Sequence, residues 1–267
     1  MVAAFFIAGV LVILIIRYRV RLEEGYSYVN RMAAPVRVQL IPTPPAFREI
    51  LVKYFVYYNE LSDADKLKFE RKLCYLIFSK QFIPRNFDAV TDEMKVLVAA
   101  SAVQLTFGLP KVTLSHFDKI LIYPDDYYSS ITKRYHKGEV NPAYRAIVIS
   151  WQSFVEGYLI KRGQPNLGLH EMAHALRLEN VIRNEEFQFF DEELLERLDK
   201  WGHLVCHEPA HMPSNIFRPY ACTNKHEFFA VAVENFFERP HDFKEVLPEL
   251  YWILATLLNQ EPLKLAV

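Results

Sequence analysis

Asn166-Leu167-Gly168-Leu169-His170-Glu171-Met172-Ala173-His174-Ala175-Leu176 falls within a helix expected over Asn166 to Glu179 and carries the pattern HExxH. The spacing has a physical reason. Residues four apart on a helix share one face about 5–6 Å apart, so the imidazoles of His170 and His174 can reach one zinc ion at ~2.0–2.1 Å. Glu171 is turned to the side of that axis, where its carboxylate can hydrogen-bond a water activated by the metal rather than ligate. A letter match recurs at His207-Glu208-Pro209-Ala210-His211, with His203 in front of it. Pro209 and Pro213 argue against a helix that would set both of those histidines on one face, so this copy reads as a loop near the site.

A catalytic zinc needs a third protein ligand and one open position. The solution that places it six residues past the second histidine, after a glycine, is closed, because Arg177 and Asn180 occupy those places. The alternative is an acid from a later helix, and Lys225 to Phe237 supplies two, Glu227 and Glu234, seven residues apart and thus on one face among phenylalanines and valines. Carboxylates on an apolar helix need partners. One can ligate zinc while the other hydrogen-bonds a ligating histidine; the pattern alone leaves open which does which.

Nearer the start of the chain, Ser62-Asp63-Ala64-Asp65 reads as a capped helix start followed by an apolar face, and Met94 to Leu105 as a buried helix. Ile120 to Tyr123 and Ala146 to Trp151 are short β-branched runs bounded by prolines, hence strands; Tyr127 to Glu139 between them reads as a loop. Asp191 to Trp201, Lys225 to Phe237 and Phe243 to Leu258 read as helices. The expected fold class is α+β, a small sheet preceding a helical half. Of the two β-branched runs, Ala146 to Trp151 is the one expected to lie at an exposed edge where a peptide could pair.

The ends and the composition set further expectations. Val2 to Ile16 are uninterruptedly apolar and are followed by Arg17, Arg19 and Arg21. Such a run gives roughly 22 Å of helix, short of a ~30 Å hydrocarbon core unless the flanks extend it. It reads as an uncleaved transmembrane anchor (residues 1–22), with a proline-containing linker (23–45) and a catalytic domain (46–267) behind it. The arginines place that domain on the cytoplasmic side of the inner membrane. A formal net charge of -1 gives no bulk attraction for nucleic acid, so no direct nucleic-acid partner is expected. The three cysteines, Cys74, Cys206 and Cys222, are widely spaced without a CxxC, which indicates neither a disulfide framework nor a thiolate zinc site and suits a reducing compartment.

Taken together, HEMAH after Asn166-Leu167, the run Ile120 to Pro124 (ILIYP), the strand ending in Ser150-Trp151, and Tyr220 seven residues before Glu227 in EFFAVAVENFF resemble the Mlc titration factor A family. These are bacterial zinc peptidases of the gluzincin group, with an active site similar to that of anthrax lethal factor. The likeness spans roughly residues 60 to 260 and implies a zincin-like metallopeptidase domain. It assigns one zinc per chain to His170, His174 and Glu227, leaves Glu234 as the partner of a ligand, makes Glu171 the general base, and gives Tyr220 the task of donating its hydroxyl to the oxyanion. Peptides or proteins are the implied substrates, with aminopeptidase and endopeptidase action both open. The family's name implies a transcription repressor as a partner. A rival expectation from another class is a membrane-anchored regulator that binds a cytoplasmic partner with little or no proteolysis; against it, structural zinc sites are usually closed by four protein ligands.

Overall fold

Prolines open the first helix of the computed structural model, which describes residues 42–129, 133–159, 165–182, 188–207 and 216–264. Pro44 is the N-cap and Pro45 the first residue of α1 (Pro45–Tyr54), where a missing N–H leaves nothing unsatisfied. The helix therefore starts inside the stretch that reads as a spacer. The apolar run Val2 to Ile16, the linker up to residue 41 and most of the second HExxH copy lie outside the described residues. No described helix is long and apolar enough to cross a membrane.

After α2 (Val56–Asn59), α3 (Asp63–Ser79) begins at Ser62, whose hydroxyl accepts from the Asp65 backbone N–H. β1 (Gln81–Pro84) follows, then α4 (Asp92–Thr106), capped by Thr91 and buried from Val96 to Thr106. β2 (Lys119–Tyr123), β3 (Tyr127–Ser129), β4 (Arg134–His136), β5 (Gly138–Asn141) and β6 (Ala146–Ser150) complete the strands. The helical half comprises α5 (Trp151–Leu159), α6 (Leu167–Ile182), α7 (Glu192–His207), a 3-10 turn (Pro219–Thr223), α8 (Lys225–Glu238), α9 (Pro240–Val246) and α10 (Pro248–Leu258). A last 3-10 turn spans Pro262–Lys264.

The main sheet has the order β1-β2-β6-β5, with β1, β2 and β6 parallel and β5 antiparallel at one end. Ile120 pairs with Ile147 and Ile122 with Ile149, and all four are buried on one face, while β6 is buried at all five residues, as a strand covered on both faces requires. This corrects four sequence expectations. β6 lies between β2 and β5 with all five residues buried, so the edge at this end is β5 and not Ala146 to Trp151. Trp151 opens α5 instead of closing the strand. The stretch expected as a loop, Tyr127 to Glu139, holds the β3-β4 hairpin and the start of β5. Its alternation is short and tyrosine-rich, and the pairing partners supply the order that local pattern lacks. Finally, Phe243 to Leu258 is two helices, because Pro248 cannot continue the first and instead opens α10.

α6 packs against α8, α4, β5 and β6. Twelve of its sixteen residues are buried, so it is a central helix covered nearly all round, and any polar side chain on it must be satisfied inside the protein. Cys206 at the end of α7 is bonded to Cys222 in the 3-10 turn, while Cys74 is free and buried. That corrects the expectation of unpaired cysteines: their spacing along the chain is wide, but the fold brings these two together.

Candidate metal centre

The site is set by where two helices start. Asn166 caps α6 by accepting from the Leu169 N–H, and it ties the cap to α8 by donating its own N–H to Glu234 and its Nδ2 to Glu238. Asn224 caps α8 by accepting from the N–H groups of His226 and Glu227. Glu227 thereby sits in the first turn of α8, where the positive end of the helix dipole favours a carboxylate.

The two helices bring three predicted residues together. His170 Nε2 and His174 Nε2 are 3.1 Å apart, and Glu227 Oε2 lies 3.2 Å from the first and 3.3 Å from the second. Among the described residues this is the one group of three or more histidine, cysteine or acidic side chains arranged to share an ion. His170 Nδ1 donates to Glu234 Oε1 at 2.8 Å, which fixes the ring so that its Nε2 lone pair faces the cluster. Glu227 Oε2 is buried and has no hydrogen-bond partner outside the two imidazoles. Burial alone would lower the proton affinity of His170, but the Glu227 and Glu234 carboxylates outweigh it and push its pKa up to about 10. Burial likewise opposes ionisation of Glu227, and the two imidazoles overcome it and hold that carboxyl well below the usual range. Three lone pairs aimed at one point require a shared positive charge, either a proton or a cation.

Separations in the cluster are close to the tetrahedral edge of roughly 3.3–3.4 Å expected for ligand atoms ~2.0–2.1 Å from one zinc ion. Two imidazoles and one carboxylate, without thiolate, also form the donor set of sites that keep a position open. The residues present therefore fit a divalent metal.

Glu171 is buried on the neighbouring face of α6, and its carboxylate lies against Gly138 of β5. Burial raises its pKa above the ordinary carboxylate value. Tyr220 is half exposed (52%) in the 3-10 turn, its ring centroid 6.2 Å from that of His170. Partial burial and the nearby Glu227 charge raise the phenol to about 12. The positions excluded as ligands have structural tasks: Arg177 is paired with Asp199, and Asn180 Oδ1 accepts from the N–H groups of Phe189 and Phe190. His203 and His207 stack on each other along α7.

Residues 30–258 match the family described as glucose-regulated metallo-peptidase M90. The chain belongs to this family. A protein of Synechocystis sp., itself uncharacterized, is 27% identical over 240 residues, covering 83% of this chain and 86% of its own length. Two proteins named Mlc titration factor A are also similar. The one from Pectobacterium atrosepticum is 25% identical over 76% of this chain and 82% of its own. That from Edwardsiella ictaluri is 28% identical over 71% and 78%. The family resemblance drawn from HEMAH and the EFFAVAVENFF helix is therefore shown, and M90 membership implies a metal.

Two residues of this M90 chain at the site escape sequence reasoning. Arg218 Nη2 donates to both oxygens of Glu234 at 3.1 Å, so this carboxylate receives His170, Asn166 and Arg218 together. The rule that a carboxylate on an apolar helix needs partners announces such a cation but not which one, because Arg218 reaches it from the turn preceding α8. Gly138, against which the Glu171 carboxylate lies, gives no signal at all, since a glycine in the sequence carries no chemistry of its own.

Proposed function

We propose that the chain is a zinc-dependent peptidase that hydrolyses peptide bonds by general-base attack of water, with His170, His174 and Glu227 holding one zinc per chain. The observation that carries this reading is the convergence of those three donor atoms, one of them a buried carboxylate oxygen with no partner outside the cluster. When bound, the metal supplies a coordinated water of pKa near ~7 and polarises a carbonyl. Glu234 orients His170, and Arg218 and Asn166 in turn fix Glu234. Glu171 takes the proton of the attacking water and returns it to the leaving amide nitrogen. Its raised proton affinity suits the first transfer, because a carboxylate that is too weak a base would not take the proton from water. Tyr220 keeps its proton at neutral pH and donates its hydroxyl to the developing oxyanion. Substrate enters as an extended segment alongside β5, the strand that ends the sheet beside α6.

The test is hydrolysis of chromogenic aminopeptidase substrates and of an unstructured protein by the purified chain, before and after metal chelation and zinc restoration. Turnover that chelation abolishes and zinc restores supports the reading. Absence of metal-dependent turnover on every substrate contradicts it.

The relatives' name favours a second reading, in which the domain binds a protein partner such as a transcription repressor and proteolysis is incidental. Repressor binding unchanged by Glu171→Gln, in a chain that cleaves nothing, would support that reading. Attachment to the inner membrane through Val2 to Ile16, with the domain on the cytoplasmic side, belongs to the proposal too. Attachment rests on that apolar run and the sidedness on the arginines alone, since the Cys206–Cys222 bond removes the argument from free thiols. Membrane fractionation of the full chain and of one lacking residues 1–22 tests it.

A further inference from the structure

A general base must be held still, and for Glu171 the holding group is a missing side chain. A Cβ placed on Gly138 would fall 2.4 Å from Glu171 Oε1, 2.5 Å from its Cδ and 2.6 Å from its Cγ. All three are far inside van der Waals contact. Gly138 is the first residue of β5 and pairs with Ile149, and β5 packs directly against α6. The φ of Gly138 lies outside the left-handed range, so the backbone there accepts an ordinary residue without strain. Space alone accounts for the glycine. The atoms it would strike belong to one side chain and not to backbone, so an added methyl group is expected to displace the carboxylate rather than the strand.

We propose that Gly138 is a positioning residue: the volume its side chain would fill is the slot that keeps the Glu171 carboxylate beside the His170, His174 and Glu227 cluster. This rests on the peptidase reading, because only there does the aim of Glu171 set a rate.

The experiment compares zinc-loaded wild type, Gly138→Ala, Glu171→Asp and the double variant. Gly138→Ala should keep its zinc affinity, measured by chelator competition, within about threefold and its Tm within a few degrees. KM should also stay within about threefold while kcat falls about 10- to 100-fold, the scale of a ~1 Å misplacement. Glu171→Asp shortens the side chain by one methylene and vacates the slot, so it should cost much less in the Gly138→Ala background than alone. A second readout needs no turnover. In the cobalt-substituted protein, Gly138→Ala should shift the visible bands in the same direction as Glu171→Gln does. Wild-type kcat in Gly138→Ala, additive losses in the double variant, or a cobalt spectrum identical to wild type would overturn the proposal, as would loss of zinc and fold in step with kcat. A wild type that binds zinc and cleaves nothing sinks the peptidase reading instead, and the cobalt spectrum still decides whether Gly138 positions Glu171.

Discussion

Replacing Glu234 by glutamine changes the charge under His170 while nearly preserving shape. The carboxylate is 6% exposed and accepts from His170 Nδ1 at 2.8 Å, from the Asn166 N–H at 3.0 Å and from Arg218 Nη2 at 3.1 Å. Glutamine offers one acceptor oxygen and turns an NH2 group toward at least one of these donors. One buried donor is therefore left unsatisfied and a charge-assisted bond is lost, a combined cost of about 1–3 kcal/mol in stability. For a protein of this size that is roughly 2–12 °C in Tm. The metal feels the change through His170, whose basicity and orientation depend on its partner. Zinc affinity should fall about 10- to 100-fold, equivalent to about 1.4–2.7 kcal/mol. Competition with a chromophoric chelator at pH 7 measures it, with circular dichroism checking that the fold persists. Glu227→Ala, which removes a ligand atom, should weaken zinc further still. An unchanged dissociation constant in a folded Glu234→Gln protein, or equal losses in the two variants, would refute the division of roles between the two glutamates.

Other consequences are simpler to reach. Purified without reductant and denatured, the chain should titrate one thiol, Cys74, and not three. Cys222→Ser should lower stability by ~3 kcal/mol, as expected for opening a loop of this separation, and thus Tm by roughly 6–12 °C. Acid sensitivity should show at Glu70, which accepts from Arg48 and from the Tyr58 hydroxyl. The Arg48 hydrogen bonds hold its carboxyl below the ordinary value of 4.5. Its contribution is thus complete above the unfolded pKa and lost as pH falls through the lower folded one. Denaturant titrations of the metal-free protein should show wild type more stable than Glu70→Gln at neutral pH, with the gap closing below about pH 4.5; a gap that widens on acidification would have the sign wrong.

How far the sequence discloses this molecule depends on how local each signal is. The caps at Ser62, the buried helix around Met94 to Leu105 and the strands at Ile120 and Ile147 are written in adjacent residues, and the structure has them in place. HExxH is local as well, and the seven-residue interval between Glu227 and Glu234 sets both on the face of α8 that meets α6. Strand order is not local. β5 owes its edge position to the pairing of Gly138 to Asn141 with β6, and nothing in GEVN foretells it. Arg218 and the Cys206–Cys222 bond are likewise invisible, because chain segments meet there only after α7 and α8 have docked. Gly138 is the extreme case, a function carried by atoms that are absent.

Whether Glu171 is the base is decided by the Glu171→Gln variant compared with wild type at equal zinc occupancy, on a peptide that wild type cleaves. Glutamine keeps the shape of the side chain but cannot take a proton from water. One zinc per chain is expected in both proteins, with a fall in kcat of at least about 10²-fold in the variant. Full turnover in the variant would contradict this assignment, since the base would then lie elsewhere.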